Sequence, residues 1–248
     1  MKVPLTIHQA RLGPAQFKVI RPARPPARAA LADGRWYLHA QVDQGAAQLI
    51  AGLWALAATS PRSLVHVPLR RAHPDTEGPG LDLVLLHHSL QFAPSRWKEL
   101  RARLGPGRPQ TARLPGQARA DPAVDPRPQR HHKENRDRFH QRVHAGTLFM
   151  TGSAALFADT AWLFADVAHR APGYVLAHPD HQHYCTRLRP GDGALATGSG
   201  LHVVYRDQWP DRPPPPSCIR AGRSRCGPAI RGRSRGAVPG RPPGTGRV

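Results

Sequence analysis

Ala46, Leu49, Ile50, Leu53, Trp54 and Ala57 recur at intervals of three and four residues, the period of one helix face. The positions between them are mostly Ala and Gly rather than charged, so this helix is predicted to be buried on more than one side. Asp43 stands where a cap belongs, and Pro61 closes the element. Apolar alternation predicts short strands at 16–20 and 36–40, joined by the proline-interrupted connection RPARPPARAA at 21–30. Residues 63–69 (SLVHVPL) predict another strand with Val65, Val67 and Leu69 on one face, and Pro68 points to a sheet edge or strand end. Residues 81–86 (LDLVLL) form a nearly unbroken apolar run, as in a strand covered on both faces. SRWKELRARL, 95–104, sets Trp97, Leu100 and Leu104 on one stripe among charges, including Glu99 and Arg103 at i, i+4, and predicts a surface helix.

Residues 105–130 carry prolines and glycines without apolar periodicity and read as a linker or long loop. A helix is predicted over 131–145, anchored by Phe139 and Val143, and a strand over 147–150. Ser153 then caps a strong helix in which LFAD occurs twice, seven residues apart. That offset buries Leu156, Leu163 and Phe164 and leaves Asp159 and Asp166 wet, with Pro172-Gly173 as the stop. Residues 174–177 and 201–205 (LHVVY) complete the predicted strands. Alternating strands and helices indicate an α/β or α+β fold, a small mixed sheet packed with about four helices. The organisation expected is an α/β lobe at 1–104, the linker at 105–130, and a second α/β lobe at 131–210, either separate or completing the same domain.

Composition changes this picture at the C-terminal end. Residues 211–248 contain nine Arg, eight Pro and seven Gly and almost nothing to bury, so a disordered basic tail is expected. The abrupt change after Trp209 also fits a shift of reading frame in a GC-rich gene. The formal net charge of +20 rests almost wholly on arginine, with lysine only at Lys2, Lys18, Lys98 and Lys133, a bias GC-rich codons produce by themselves. A basic chain still attracts nucleic acid non-specifically by counterion release, and the Arg-rich tail is the segment expected to do so. Three cysteines exclude a disulfide framework and fit a reducing compartment. With no apolar run long enough for a signal core or a membrane span, a soluble cytoplasmic protein without membrane association is expected.

Chemistry concentrates in LAHPDHQHYC, 176–185. On an extended chain His181, His183 and Cys185 project to one side, and two imidazoles with a thiolate suit zinc. His178 or a residue from another element would complete the set, with Asp180 assisting. Pro179 favours a turn instead, and the spacing matches no standard zinc module. Cys185 is also a candidate nucleophile with His181 or His183 as base. A second candidate metal pair is His140 and His144 in HQRVH, which resembles the helical pattern HExxH over five residues, with Asp137 as a third ligand. Gln141 stands at the glutamate position and an amide cannot act as base, so hydrolysis in that style is lost. Ser153 could receive phosphate at a helix N-terminus but reads better as a cap, and His87-His88 end the most apolar strand. Two functions are therefore expected, a leading one and an alternative, in that order. One is a non-catalytic protein binding a protein partner or ligand, with a basic tail; the other is a zinc-type metal enzyme using 178–185.

Overall fold

Gly13, with φ of 62°, turns the chain between β1 (Lys2–Leu12) and β2 (Ala15–Pro22), which pair antiparallel from Leu5–Pro22 to Leu12–Ala15. The computed structural model describes residues 1–70, 78–114, 137–181 and 183–209. Further strands are β3 (Ala29–Asp33), β4 (Tyr37–Val42), β5 (Ser63–Val67), β6 (Asp82–His87), β7 (Arg108–Arg113), β8 (Phe139–His144) and β9 (Thr147–Gly152). Three more follow: β10 (Cys185–Leu188), β11 (Leu195–Thr197) and β12 (Gly200–Tyr205). Eight strands form one mixed sheet in the order β11-β8-β9-β6-β5-β2-β1-β7, and four form a second, β10-β12-β4-β3. Strands from both halves of the chain enter both sheets, so the two predicted lobes complete one α/β body.

The helices are α1 (Gln44–Thr59), α2 (Trp97–Ala102), α3 (Ala154–Thr160) and α4 (Trp162–Ala177). Asp43 caps α1 by accepting the Ala46 N–H at 2.7 Å. Helix α1 packs against α3 and α4 and touches β5 and β6 of the first sheet and β4 of the second. One continuous core therefore runs from Val65, Leu83 and Met150 through Ile50 and Trp54 to Leu38, Leu201 and Val203. Gly52 belongs to this closeness, because a Cβ there would lie 2.6 Å from the Leu114 side chain. On the far face of the first sheet, Trp97 and Leu100 of α2 cover Val19, Leu64, Val84 and Phe149. The Glu99–Arg103 pair forms at 2.8 Å, as the i, i+4 spacing predicts. Residues 81–86 are buried on both faces, Leu83 and Leu85 in one cluster and Val84 and Leu86 in the other.

Four local readings are corrected. Residues 139–144 form a strand, not part of a helix, because Ala145 (φ 49°) and Gly146 (φ 66°) make a two-residue hairpin turn into β9. Arg70 fastens that turn by donating to the carbonyls of Ala145 and Gly146 at 2.9 and 2.6 Å. Within the expected linker, 108–113 is an edge strand on β1, held by backbone pairing and therefore without an apolar signature. The 21–30 connection gives way to β3 at Ala29, and β1 was not anticipated at all. Helix α4 runs through Pro172 to Ala177, so 174–177 is helical rather than extended.

Proline lacks the N–H that would reach the carbonyl four residues back, Ala168. The Gln44 side-chain amide from α1 donates to that carbonyl at 3.2 Å, which is how the helix survives. The tail at 211–248, the 115–130 part of the linker and residues 131–136 lie outside the described residues. Among the described residues no helix is long and apolar enough to cross a membrane.

The Gln44–Ala168 bond predicts a specific coupling. Gln44→Ala should lower unfolding free energy by about 1 kcal/mol through the orphaned carbonyl. In a Pro172→Ala background, where the backbone N–H returns, the same substitution should cost markedly less. A urea-unfolding double-mutant cycle reads this directly, and an equal cost in both backgrounds would count against it.

Candidate metal centre

The second sheet turns one face to the helices. Thr186 Oγ1 donates to the Leu163 carbonyl at 2.7 Å, and Leu188, Leu201 and Val203 join the core. Strand alternation then sends Cys185, Arg187, His202 and His39 to the opposite face. Antiparallel register sets Cys185 against Val204 and Arg187 against His202, and on the other side His202 lies beside His39 of β4.

His183, Cys185 and His202 converge there. One donor atom from each lies within 4.8 Å of the others. His202 is only 6% exposed, and its Nε2 is buried without a hydrogen-bond partner. Burial, followed by Arg187 and His39, pushes the His202 imidazole down to about 4. His183, more open, is also lowered, by partial burial and then by Arg187. Both rings are thus neutral at physiological pH, the form that donates to a metal. Tetrahedral zinc with bonds of about 2.0–2.3 Å holds its ligands roughly 3.3–3.6 Å apart, so the three donors would need to draw together by at most about 1.5 Å.

Sequence reasoning selected two of these three residues. His178 lies elsewhere: its Nδ1 donates to the Tyr174 carbonyl at 2.8 Å, and its ring stacks on Tyr174 at 4.3 Å. The His181 N–H closes a turn onto the His178 carbonyl, so 178–181 is not extended and His181 is outside the group. His202 was passed over because LHVVY reads as a plain strand. Its period-two alternation, which opposes His202 to Leu201 and Val203, was the available signal.

The other candidates are not assembled into sites. His140 and His144 share a strand face, where four residues of rise separate them by roughly 13 Å, too far for one ion. The chelate predicted on a helix does not form. Asp137 accepts from the Ser153 hydroxyl, which in turn accepts the Leu156 N–H at 3.0 Å, so Ser153 is a cap. The His87 and His88 rings lie against each other, 4.3 Å between centroids, and His87 Nδ1 accepts from the Ser89 N–H.

A second polar cluster is buried beneath α2. Asp82 Oδ1 accepts the N–H groups of Leu69 and Arg70, while Arg70 and Arg101 approach Oδ2 at 3.3 and 3.7 Å. Arg21 Nε donates to His66 Nδ1 at 2.7 Å, which leaves the Nε2 proton facing Asp82 at 3.8 Å. Burial would raise the Asp82 carboxyl, but His66 and the Arg70 N–H outweigh it and hold it below its ordinary value. Burial lowers His66. With its Nδ1 occupied and 2% of its surface exposed, His66 is a structural group.

Compared with known proteins, the sequence matches no family model and no curated protein, and the fold matches no solved structure.

A lowered histidine fixes the sign of a pH effect. Below its ordinary value of 6.5, the unfolded chain takes up the proton that buried His66 refuses, so stability is full above that pH and declines as pH falls. The urea midpoint should drop between pH 7.5 and 5.5, and less steeply in His66→Gln. An identical pH slope in the variant would contradict this assignment.

Proposed function

We propose that the protein binds a zinc-type metal ion through His183, Cys185 and His202, with one coordination position left for an exogenous ligand. His202 carries this reading: its Nε2 is buried without a partner, and one of its ring nitrogens lies within 4.8 Å of a donor atom of Cys185 and of His183. A buried polar nitrogen with no partner is costly, and a metal at that point would satisfy it. One thiolate with two imidazoles is a borderline-soft set suited to zinc. Structural zinc sites close with four protein ligands, whereas sites that act on substrates keep three and an open position. Zinc held here would act as a Lewis acid toward an oxygen in the fourth position. Cys185 then serves as ligand rather than nucleophile, in the reducing, cytoplasmic setting that keeps it a thiol. Compared with the set expected from 178–185, His202 takes the place of His178 and His181. The other expectation, a non-catalytic protein that binds a partner or ligand, is the second reading, and the basic tail attached to it, 211–248, lies outside the described residues.

Metal content and chelator-competition titration of the purified chain test the proposal. One zinc per chain is expected. His202→Ala and Cys185→Ser should weaken binding by more than the 10–100-fold (order of magnitude) typical of losing an outer-shell partner. His178→Ala, His181→Ala and the double variant Cys218→Ser/Cys226→Ser should bind as the parent does. A folded parent chain that takes up no zinc, cobalt or copper would refute it, as would equal losses in His178→Ala and His202→Ala.

A further inference from the structure

Arg187 stands directly across the β10–β12 ladder from His202 and on the same sheet face. Its guanidinium lies 5.8 Å from the centre of the Tyr37 ring. Its Nε is buried without a hydrogen-bond partner, and among the described residues it forms no ion pair. Tyr37 can lie there because Gly200 is opposite it in the ladder; a Cβ at Gly200 would come within 3.3 Å of the Tyr37 ring and 3.0 Å of the Leu188 carbonyl.

This is an unusual place to leave an arginine unanswered. A guanidinium presents five N–H donors in a planar fork that fits the two oxygens of a carboxylate or phosphate. A divalent metal with one thiolate and two neutral imidazoles carries a net positive charge, and Arg187 adds to it. The other charged groups that bear on His183 and His202 are Arg189, Arg206, His39 and His181, all basic. Among the described residues no carboxylate stands with these groups, so the excess positive charge is one that an anionic ligand would balance.

We propose that Arg187, seated against Tyr37, receives an oxyanion group of the ligand that takes the open metal position, so that the centre binds carboxylate or phosphate compounds. The inference rests on the metal-centre reading. A metal held by His183, Cys185 and His202 would accept one oxygen of the group and the Arg187 fork would take another, so a single occupant would meet both. Phosphate and carboxylate share this chemistry, and the probes separate them.

The test uses the full chain loaded with cobalt, whose visible bands respond to a change in the fourth ligand. Inorganic phosphate and acetate are titrated separately at constant ionic strength. Saturable spectral change is expected with at least one of them, weakened about 10-fold or more in Arg187→Gln, partly restored in Arg187→Lys, and unaltered in Arg142→Gln. Cobalt stoichiometry of each variant, measured in parallel, shows whether the centre itself is intact. Cobalt bound with no response to either anion would overturn this inference alone, as would equal affinity in Arg187→Gln and the parent. Failure of the parent chain to hold cobalt would overturn the metal reading and this inference with it.

Discussion

Helix α1 carries no charged residue, and strands of both sheets pack against it. Trp54 lies at the centre of that arrangement, fully buried among Phe139, Phe157 and Phe164 with ring centroids 5.7–5.8 Å away. Its indole N–H donates to Thr160 Oγ1 at 2.9 Å, and Thr160 passes its own proton to the Leu156 carbonyl. An indole buried without such a partner would lose on desolvation part of what its surface gains from leaving water. Ala46, Ala47, Ala51 and Gly52 keep the rest of the helix slim, which lets strands of both sheets share one core.

That single choice divides the second sheet into two unlike faces. Residues turned toward α1 and α4 are Leu38, Ala40, Val42, Leu188, Leu201 and Val203, and they are committed to packing. Those turned away are Tyr37, His39, Cys185, Arg187 and His202, free to carry donors because the helices already bury the other side. The first sheet solves a different problem. Its far face is covered by α2, and beneath that helix Asp82 gathers Arg70, Arg101 of α2 itself and His66. Charge in that cluster is used to close the protein, whereas charge beside His202 is left without a counterpart.

Elements whose pattern reflects burial were legible from the residues. The α1 face, the doubly covered 81–86 strand, the Asp43 and Ser153 caps and the Glu99–Arg103 pair all follow from spacing alone. Elements held by backbone pairing at an edge were not, because β7 makes its hydrogen bonds with no demand on its side chains. Residues 139–144 misled for a related reason: Phe139 is the one fully buried residue of the strand, and the deciding feature is the Ala145-Gly146 turn. Pro172 misled through a contact no local rule contains, since the residue that excuses it is Gln44, 128 positions earlier. The donor cluster was half legible. His183 and Cys185 share a face by simple alternation, but their third partner depends on which strand pairs with β10, and strand order is a property of the whole fold.

The same dependence bears on how the centre would work. Cys185 and His202 are diagonal neighbours in one ladder, Cys185 being opposite Val204, so their separation is set by the sheet and is costly to change. His183 lies two residues before Cys185, just outside the strand, and is the one donor of the three not held by a strand. A site built in this way holds two donors ready before the metal arrives and uses the ion to order the third. Affinity is then reduced only by the freedom of one histidine. His202, buried and with its imidazole pushed down to about 4, carries no extra proton to compete with a metal, whereas Arg187 opposite it works against any cation until an anion joins. The proposed metal and anion sites would both depend on one strand pairing, β10 with β12, whose other face packs against α4.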